Sequence, residues 1–78
     1  MTRKRSRTKI QLEVLQTCVD GARLTRIVYQ CNLNFRTVRP YLAELQEKGL
    51  LSTDGLLYRT TDAGRDTMAM LRASGVVG

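Results

Sequence analysis

Residues 25–61 read TRIVYQCNLNFRTVRPYLAELQEKGLLSTDGLLYRTT, and the punctuation of this stretch decides the fold. Asn34 is a good N-cap, and from Phe35 to about Lys48 Val38, Leu42 and Leu45 recur on one helical face, with Tyr41 beside them. Gly49 stands where a left-handed cap ends such a helix. Upstream, Thr25 is the expected N-cap of a short helix with Ile27, Val28 and Cys31 on its inner side. Asn32-Leu33-Asn34 is a tight break of about three residues, the length that lets two helices cross at a steep angle. Pro40 falls inside the longer helix and removes the bond to the Arg36 carbonyl. That predicts either a kink or a separate 3₁₀-like first turn. After Gly49 the period changes. Leu50-Leu51-Ser52-Thr53 and Leu56-Leu57-Tyr58-Arg59-Thr60 flank Asp54-Gly55, and Asp-Gly between two apolar runs predicts a two-residue hairpin turn.

Working outward, residues 8–20 read as a helix. Ile10, Val14 and Cys18 follow i+4 steps, and Leu12, Leu15 and Val19 widen the stripe to about half the circumference, more than one neighbour requires. Gly21 is the expected stop. Thr61 caps a last helix over roughly 62–73, with Asp62 in its first turn, where the dipole favours an anion. Gly64, Met68 and Leu71 line one face of it, and Thr67 and Met70 flank them. Gly75 is the expected end, before a short tail. Residues 1–7, MTRKRSR, have no apolar periodicity and read as a flexible basic arm ahead of one domain at 8–75. The predicted architecture is mainly α with a two-stranded β-hairpin, in the order helix, helix, tight turn, helix, hairpin, helix.

Composition removes several classes of function. A chain of 78 residues with 42% apolar and 5% aromatic residues makes one small domain with a thin core, burying roughly 60% of its extended surface. The absence of histidine excludes imidazole bases, histidine-containing triads and HExxH metal sites. Cys18 and Cys31 supply two ligands at most, too few for a structural zinc within one chain. No nucleophile–base pair or phosphate-loop glycine pattern is present, so an enzyme is not expected, and neither is a cofactor or small-molecule ligand. No apolar run approaches the roughly 20 residues of a membrane helix, and no secretory leader precedes the domain. The expected setting is cytoplasmic, with both cysteines as buried thiols.

Charge is the informative number. The net charge is +6, and it is segregated. Residues 1–39 carry nine basic side chains against Glu13 and Asp20, net +7, while the remainder nets −1. Solubility alone does not require such a division, whereas a surface for a polyanion does. Ten of the thirteen cations are arginine, whose planar fork grips phosphate at two points, although a GC-rich genome also favours arginine.

The segments TRIVYQCNLNFRTVRPYLAELQEKGLL (25–51) and YRTTDAGRD (58–66) resemble the small archaeal winged helix-turn-helix DNA-binding proteins. Gly-Leu-Leu after the third helix and Thr-x-x-Gly after the hairpin are the most family-like touches, and the likeness spans about residues 8–72. The family includes nucleoid and regulator-like proteins, some of which dimerise through a long C-terminal coiled coil. The final helix here, about twelve residues, is shorter than that, which leaves a different homodimer as the expectation.

The resemblance implies that Phe35 to Lys48 is the recognition helix and that the hairpin, about 50–60, is the wing. With Val38, Leu42 and Leu45 inward, Arg36, Arg39, Pro40, Ala43 and Glu47 fall outward. Arg36 and Arg39 then read guanine edges or grip phosphate, with the Thr37 hydroxyl nearby. Arg59 projects from the wing toward the backbone or a minor groove. Arg23 and Arg26 stand at the start of the second helix, and Arg3, Lys4, Arg5 and Arg7 form the arm. The implied function is duplex DNA binding, as a nucleoid-associated transcriptional regulator or chromosomal architectural protein. The plain alternative for the outward arginines is a solvated helix face. For the whole chain the alternatives are a protein–protein module, an RNA binder and a thiol sensor. Four aromatics, mostly at packing positions, speak against RNA.

Overall fold

Ser6 starts the first helix, α1 (Arg7–Thr17), its Oγ accepting the Lys9 N–H at 3.0 Å. The structure, a computed structural model, describes residues 6–73. Arg3, Lys4 and Arg5 of the expected arm, and the Gly75 stop, lie outside those residues. Arg7 is the first helical residue of α1 and so belongs to the folded body rather than to the arm. Ile10, Leu12, Val14, Leu15 and Cys18 are all buried, and the second helix, the second hairpin strand and the last helix pack around α1. The breadth of its apolar stripe is therefore used within one protomer. α1 ends earlier than the expected residue 20, and Gly21 (φ +91°) reverses the chain.

The linker after α1 is pinned. Ala22 N–H donates to the Tyr58 carbonyl at 2.9 Å, and Tyr58 N–H donates back to the Ala22 carbonyl at 2.8 Å. This pairing holds the chain extended as far as Arg23 (φ −79°, ψ 159°), and α2 (Leu24–Gln30) begins immediately afterwards. Arg23, not Thr25, is thus the N-cap, and it makes no side-chain capping bond. Thr25 is the second helical residue, because the pairing to Tyr58 sets the helix start before a capping hydroxyl can.

Asn32 takes a left-handed conformation (φ +54°) and turns the chain from α2 toward α3 (Phe35–Glu47). Asn34 caps α3 as expected, its Oδ1 accepting the Thr37 N–H at 2.7 Å. α3 runs as one α-helix through Pro40, with no separate 3₁₀ turn. Pro40 and Arg36 are both exposed, so the carbonyl that loses its partner lies on a face open to water.

β1 (Leu51–Thr53) and β2 (Tyr58–Thr60) pair antiparallel with Leu51 opposite Thr60 and Thr53 opposite Tyr58. A two-residue Asp54-Gly55 turn would instead have set Thr53 opposite Leu56. The Asp54 carboxylate explains the difference. Its Oδ1 accepts both the Leu56 and Leu57 N–H groups at 2.9 Å, which withdraws those amides from the ladder and centres the turn on Gly55-Leu56. Thr53 Oγ1 tightens the tip, accepting the Gly55 N–H and donating to the Leu57 carbonyl.

α4 (Asp62–Ala73) begins at Thr61, and here the two family-like motifs meet. Thr61 Oγ1 accepts the Gly64 N–H at 3.1 Å and donates to the Gly49 carbonyl at 2.7 Å, while Thr61 N–H donates to the Leu50 carbonyl at 3.0 Å. Gly64 sits against that same Leu50 carbonyl so closely that a Cβ would lie 2.2 Å from it. Thr60 faces the other way. Its buried Oγ1 donates to the Leu15 carbonyl at 2.6 Å and its N–H to the Cys18 carbonyl at 3.0 Å, satisfying carbonyls at the end of α1. The core is one cluster of α1, α2, α3, β1 and α4 side chains, centred on Val14, Leu15, Ile27, Val38 and Leu45.

Candidate nucleic-acid interface

α3 presents Arg36, Thr37, Arg39, Pro40, Ala43 and Glu47 to solvent, while Val38, Leu42 and Leu45 are buried and Tyr41 is half-buried. Arg36, Arg39, Pro40, Ala43 and Glu47 are the set that the helical arithmetic assigns, and Phe35, Thr37 and Gln46 are exposed beside them. Among the described residues no carboxylate pairs with Arg36 or Arg39. Thr37 uses its N–H on the Asn34 cap, and its side chain is exposed at the first turn.

The opposite end of α3 is electrically occupied. Glu44 Oε1 accepts from Arg7 Nη2, and its Oε2 pairs with Lys48 Nζ at 3.1 Å. The hydrogen bonds from Arg7 and then from Lys48 hold the Glu44 carboxyl below its usual range. Arg7 also lies over the Tyr41 ring, 5.5 Å from its centroid. Arg7 therefore ties the start of α1 to α3.

The remaining cations gather elsewhere. Arg23 and Arg26 line one shallow concavity with Gly21, Ala22, Thr25 and the wing residue Leu57. Arg59 is exposed on β2, yet its side chain lies back across Gly21, where an added Cβ would meet its guanidinium carbon at 3.3 Å. The Ala22–Tyr58 pairing thus brings Arg23, Arg26 and Arg59 to one seam between the second helix and the wing.

Both cysteines are buried and neither is in a disulfide, as the apolar stripes implied. Burial first, and the neighbouring Cys31 second, push the Cys18 thiol up to about 12. No group of three or more histidine, cysteine or acidic side chains suited to a metal occurs among the described residues.

Two aromatics depart from the expected packing role. Tyr29 is 81% exposed and Phe35 49% exposed. The signal for Tyr29 was in the sequence, since it lies two residues from buried Ile27 and so points about 200° away from it. Phe35 stands three residues before Val38, about 60° from its direction, at the edge of the buried stripe. Leu56, at the hairpin tip, and Met70, on the outer side of α4, are also exposed.

This order of helices, with the hairpin following the third, agrees with a match over residues 4–75 to the family described as winged helix-turn-helix. The chain belongs to that family. In its terms α2 and α3 are the helix-turn-helix, and β1 and β2 are the wing. Among solved structures, the winged helix-turn-helix chain is similar to Sso10a-2, a DNA-binding protein from Sulfolobus solfataricus. The TM-score is 0.79 at 22% identity, covering 88% of this chain and 77% of that one. At that identity the likeness carries the fold. No curated protein matches the sequence. No helix among the described residues is long and apolar enough to cross a membrane.

Proposed function

We infer that the protein binds double-stranded DNA, as a transcriptional regulator or a chromosomal architectural protein, with α3 in the major groove and the wing beside it. The observation that carries this reading is the state of Arg36 and Arg39. They stand exposed on the outward N-terminal half of α3 with no carboxylate partner among the described residues, while Glu44 holds the cations at the other end. A helix is about 10–12 Å across with its side chains, and the major groove admits it. The positive end of the helix dipole adds to the two guanidiniums. Arg23, Arg26 and Arg59 supply phosphate contacts along the wing seam, and Thr37 reaches a base edge or phosphate. Arg3, Lys4 and Arg5 join the body at Ser6 and act as a basic arm on the same DNA. Sso10a-2, described as a DNA-binding protein, shares the fold, which is consistent with this reading. On this reading the protein works in the cytoplasm on the nucleoid, as a binding protein rather than an enzyme.

The protein also pairs with a second copy through α4. Met70 is 70% exposed there, and Ala69 and Ala73 beside it are exposed as well. Closed two-fold pairing sets two recognition helices on one face of the duplex.

The test is a titration with duplex DNA over a range of salt. Neutralising about four to six phosphates per protomer gives a log K against log salt slope of roughly −4 to −5. Absence of duplex binding even at low salt overturns the reading. Sequencing the duplexes retained from a random pool then separates the two roles. A sharp motif marks a regulator, and a flat profile marks an architectural protein.

A further inference from the structure

Phe35 is the first residue of α3, and about half of its ring is open to solvent. Its position is not the product of core packing alone, because Val38, Leu42 and Leu45 already fill the inward face of the helix. On α3 it stands one turn before Arg39, and its direction lies about 40° from that of Arg39. Arg36 follows it directly. A large apolar group is thus displayed between the buried stripe and two cations, at the end of α3 where the charge and the helix dipole are both positive. A solvated face gains nothing from an aromatic ring there. A major groove offers one apolar feature that a ring of this kind recognises, the 5-methyl group of thymine, which Phe side chains contact in direct readout.

We propose that Phe35 is a specificity-determining residue that packs on the 5-methyl group of a pyrimidine in the major groove, beside the bases or phosphates reached by Arg36 and Arg39. The proposal rests on the duplex-DNA reading above and names what that reading leaves open, namely which base feature the start of α3 prefers. It assigns the protein a preference for thymine over cytosine at one position. 5-Methylcytosine restores what cytosine lacks, because it carries the same methyl group at the same place in the groove. The guanidiniums supply affinity that is blind to this methyl, so the two contributions separate experimentally.

The experiment compares an AT-rich duplex with the same duplex in which every dT is replaced by dU, and a GC-rich duplex with and without 5-methylcytosine. Affinities are measured by fluorescence anisotropy at one fixed salt concentration for the unaltered protein, Phe35→Ala and Phe35→Leu, with circular dichroism to establish that each variant is folded. Burying one methyl group corresponds to about a fourfold change in affinity. The unaltered protein is expected to lose about fourfold on the dU duplex and to gain a similar factor on methylated cytosine. Phe35→Ala is expected to bind each pair of duplexes equally, and Phe35→Leu to retain part of the preference. The methyl group also alters the shape of DNA, but that effect is common to all three proteins. Equal sensitivity in Phe35→Ala and the unaltered protein therefore overturns the proposal, as does indifference of the unaltered protein to the methyl. In both cases duplex binding itself stands. Loss of all duplex binding by the unaltered protein removes the DNA reading and this proposal with it.

Discussion

Replacing Gly64 by alanine tests how α4 is seated on the rest of the domain. The added Cβ would lie 2.2 Å from the Leu50 carbonyl oxygen and 2.6 Å from Thr60 Cγ2. Neither neighbour gives way easily. The first is backbone that also accepts the Thr61 N–H at 3.0 Å, and the second belongs to a buried side chain whose hydroxyl holds the Leu15 carbonyl. Relief requires Leu50 and α4 to move apart by about 1 Å, which takes the Thr61 bond with it. Overpacking costs about 1–3 kcal/mol and the lost hydrogen bond about 1 kcal/mol. Alanine returns about 1 kcal/mol through helix propensity. The net loss is about 2 kcal/mol, a large share of the total stability of so small a domain. The assay is urea unfolding followed by circular dichroism, with the midpoint falling at constant m-value. Gly49→Ala is the control. Nothing lies within 4 Å of a Cβ there, and the cost is the left-handed conformation alone (φ +75°), about 1 kcal/mol. A Gly64→Ala protein as stable as the original would show that α4 does not press on Leu50.

The remaining predictions concern the DNA face, the thiols and assembly. Arg36→Ala and Arg39→Ala, tested singly on selected duplexes, should each cost about 1–3 kcal/mol of affinity if base edges are read, whereas Arg59→Ala should weaken all duplexes alike and flatten the salt slope by about one. If both α3 variants leave affinity unchanged on every sequence, α3 is not the reading head. Thiol reagents should label the native protein slowly, since Cys18 and Cys31 are buried, and rapid labelling at neutral pH would contradict the fold. With the Cys18 thiol raised from 9.0 to about 12, the folded form keeps a proton that the unfolded chain loses. The contribution of this group to stability is therefore intact below pH 9 and declines between about pH 9 and about 12. Light scattering should find a dimer that Met70→Glu converts to monomer, and an unaltered protein that stays monomeric at high concentration would refute pairing through α4.

Periodicity and capping chemistry made the helices legible, because they act over a few residues. Asn34 and Thr61 cap the helices at which the sequence places them, and the inward stripe of α3 is the observed one. Two of the failures lie where a distant segment overrides a local preference, and one where a neighbouring side chain competes with the ladder. Thr25 is a better N-cap than Arg23 by residue type, yet Tyr58, far along the chain, fixes where α2 begins. Asp54-Gly55 is a good turn by residue type, yet the Asp54 side chain takes two amides and moves the turn by one residue. Arg7 reads as part of a leader until Glu44 and Tyr41, on another helix, are seen to hold it. The candidate site divides in the same way. The outward side of α3 follows from the 100° step alone, whereas the gathering of Arg23, Arg26 and Arg59 depends on the Ala22–Tyr58 pairing, which no local pattern announces.

The charge asymmetry of the sequence acquires a direction once the helices are placed. Glu44 sits in the third turn of α3, where it engages Arg7 from one side and Lys48 from the other. Had that carboxylate stood in the first turn, it would have met Arg36 and Arg39 and cancelled the helix dipole at the same end. Placed where it is, it neutralises cations that belong to the body of the domain and leaves the start of α3 positive. The potential therefore rises along the helix toward its N-terminus, the end at which Arg36, Thr37 and the exposed Phe35 are displayed. On the proposed reading, a duplex would be drawn to that end first, which would set the orientation of docking before any base is read. On that reading, affinity and selectivity are carried by different atoms of one turn: the guanidiniums would answer to phosphate and salt, and the phenyl ring to the apolar surface of the groove.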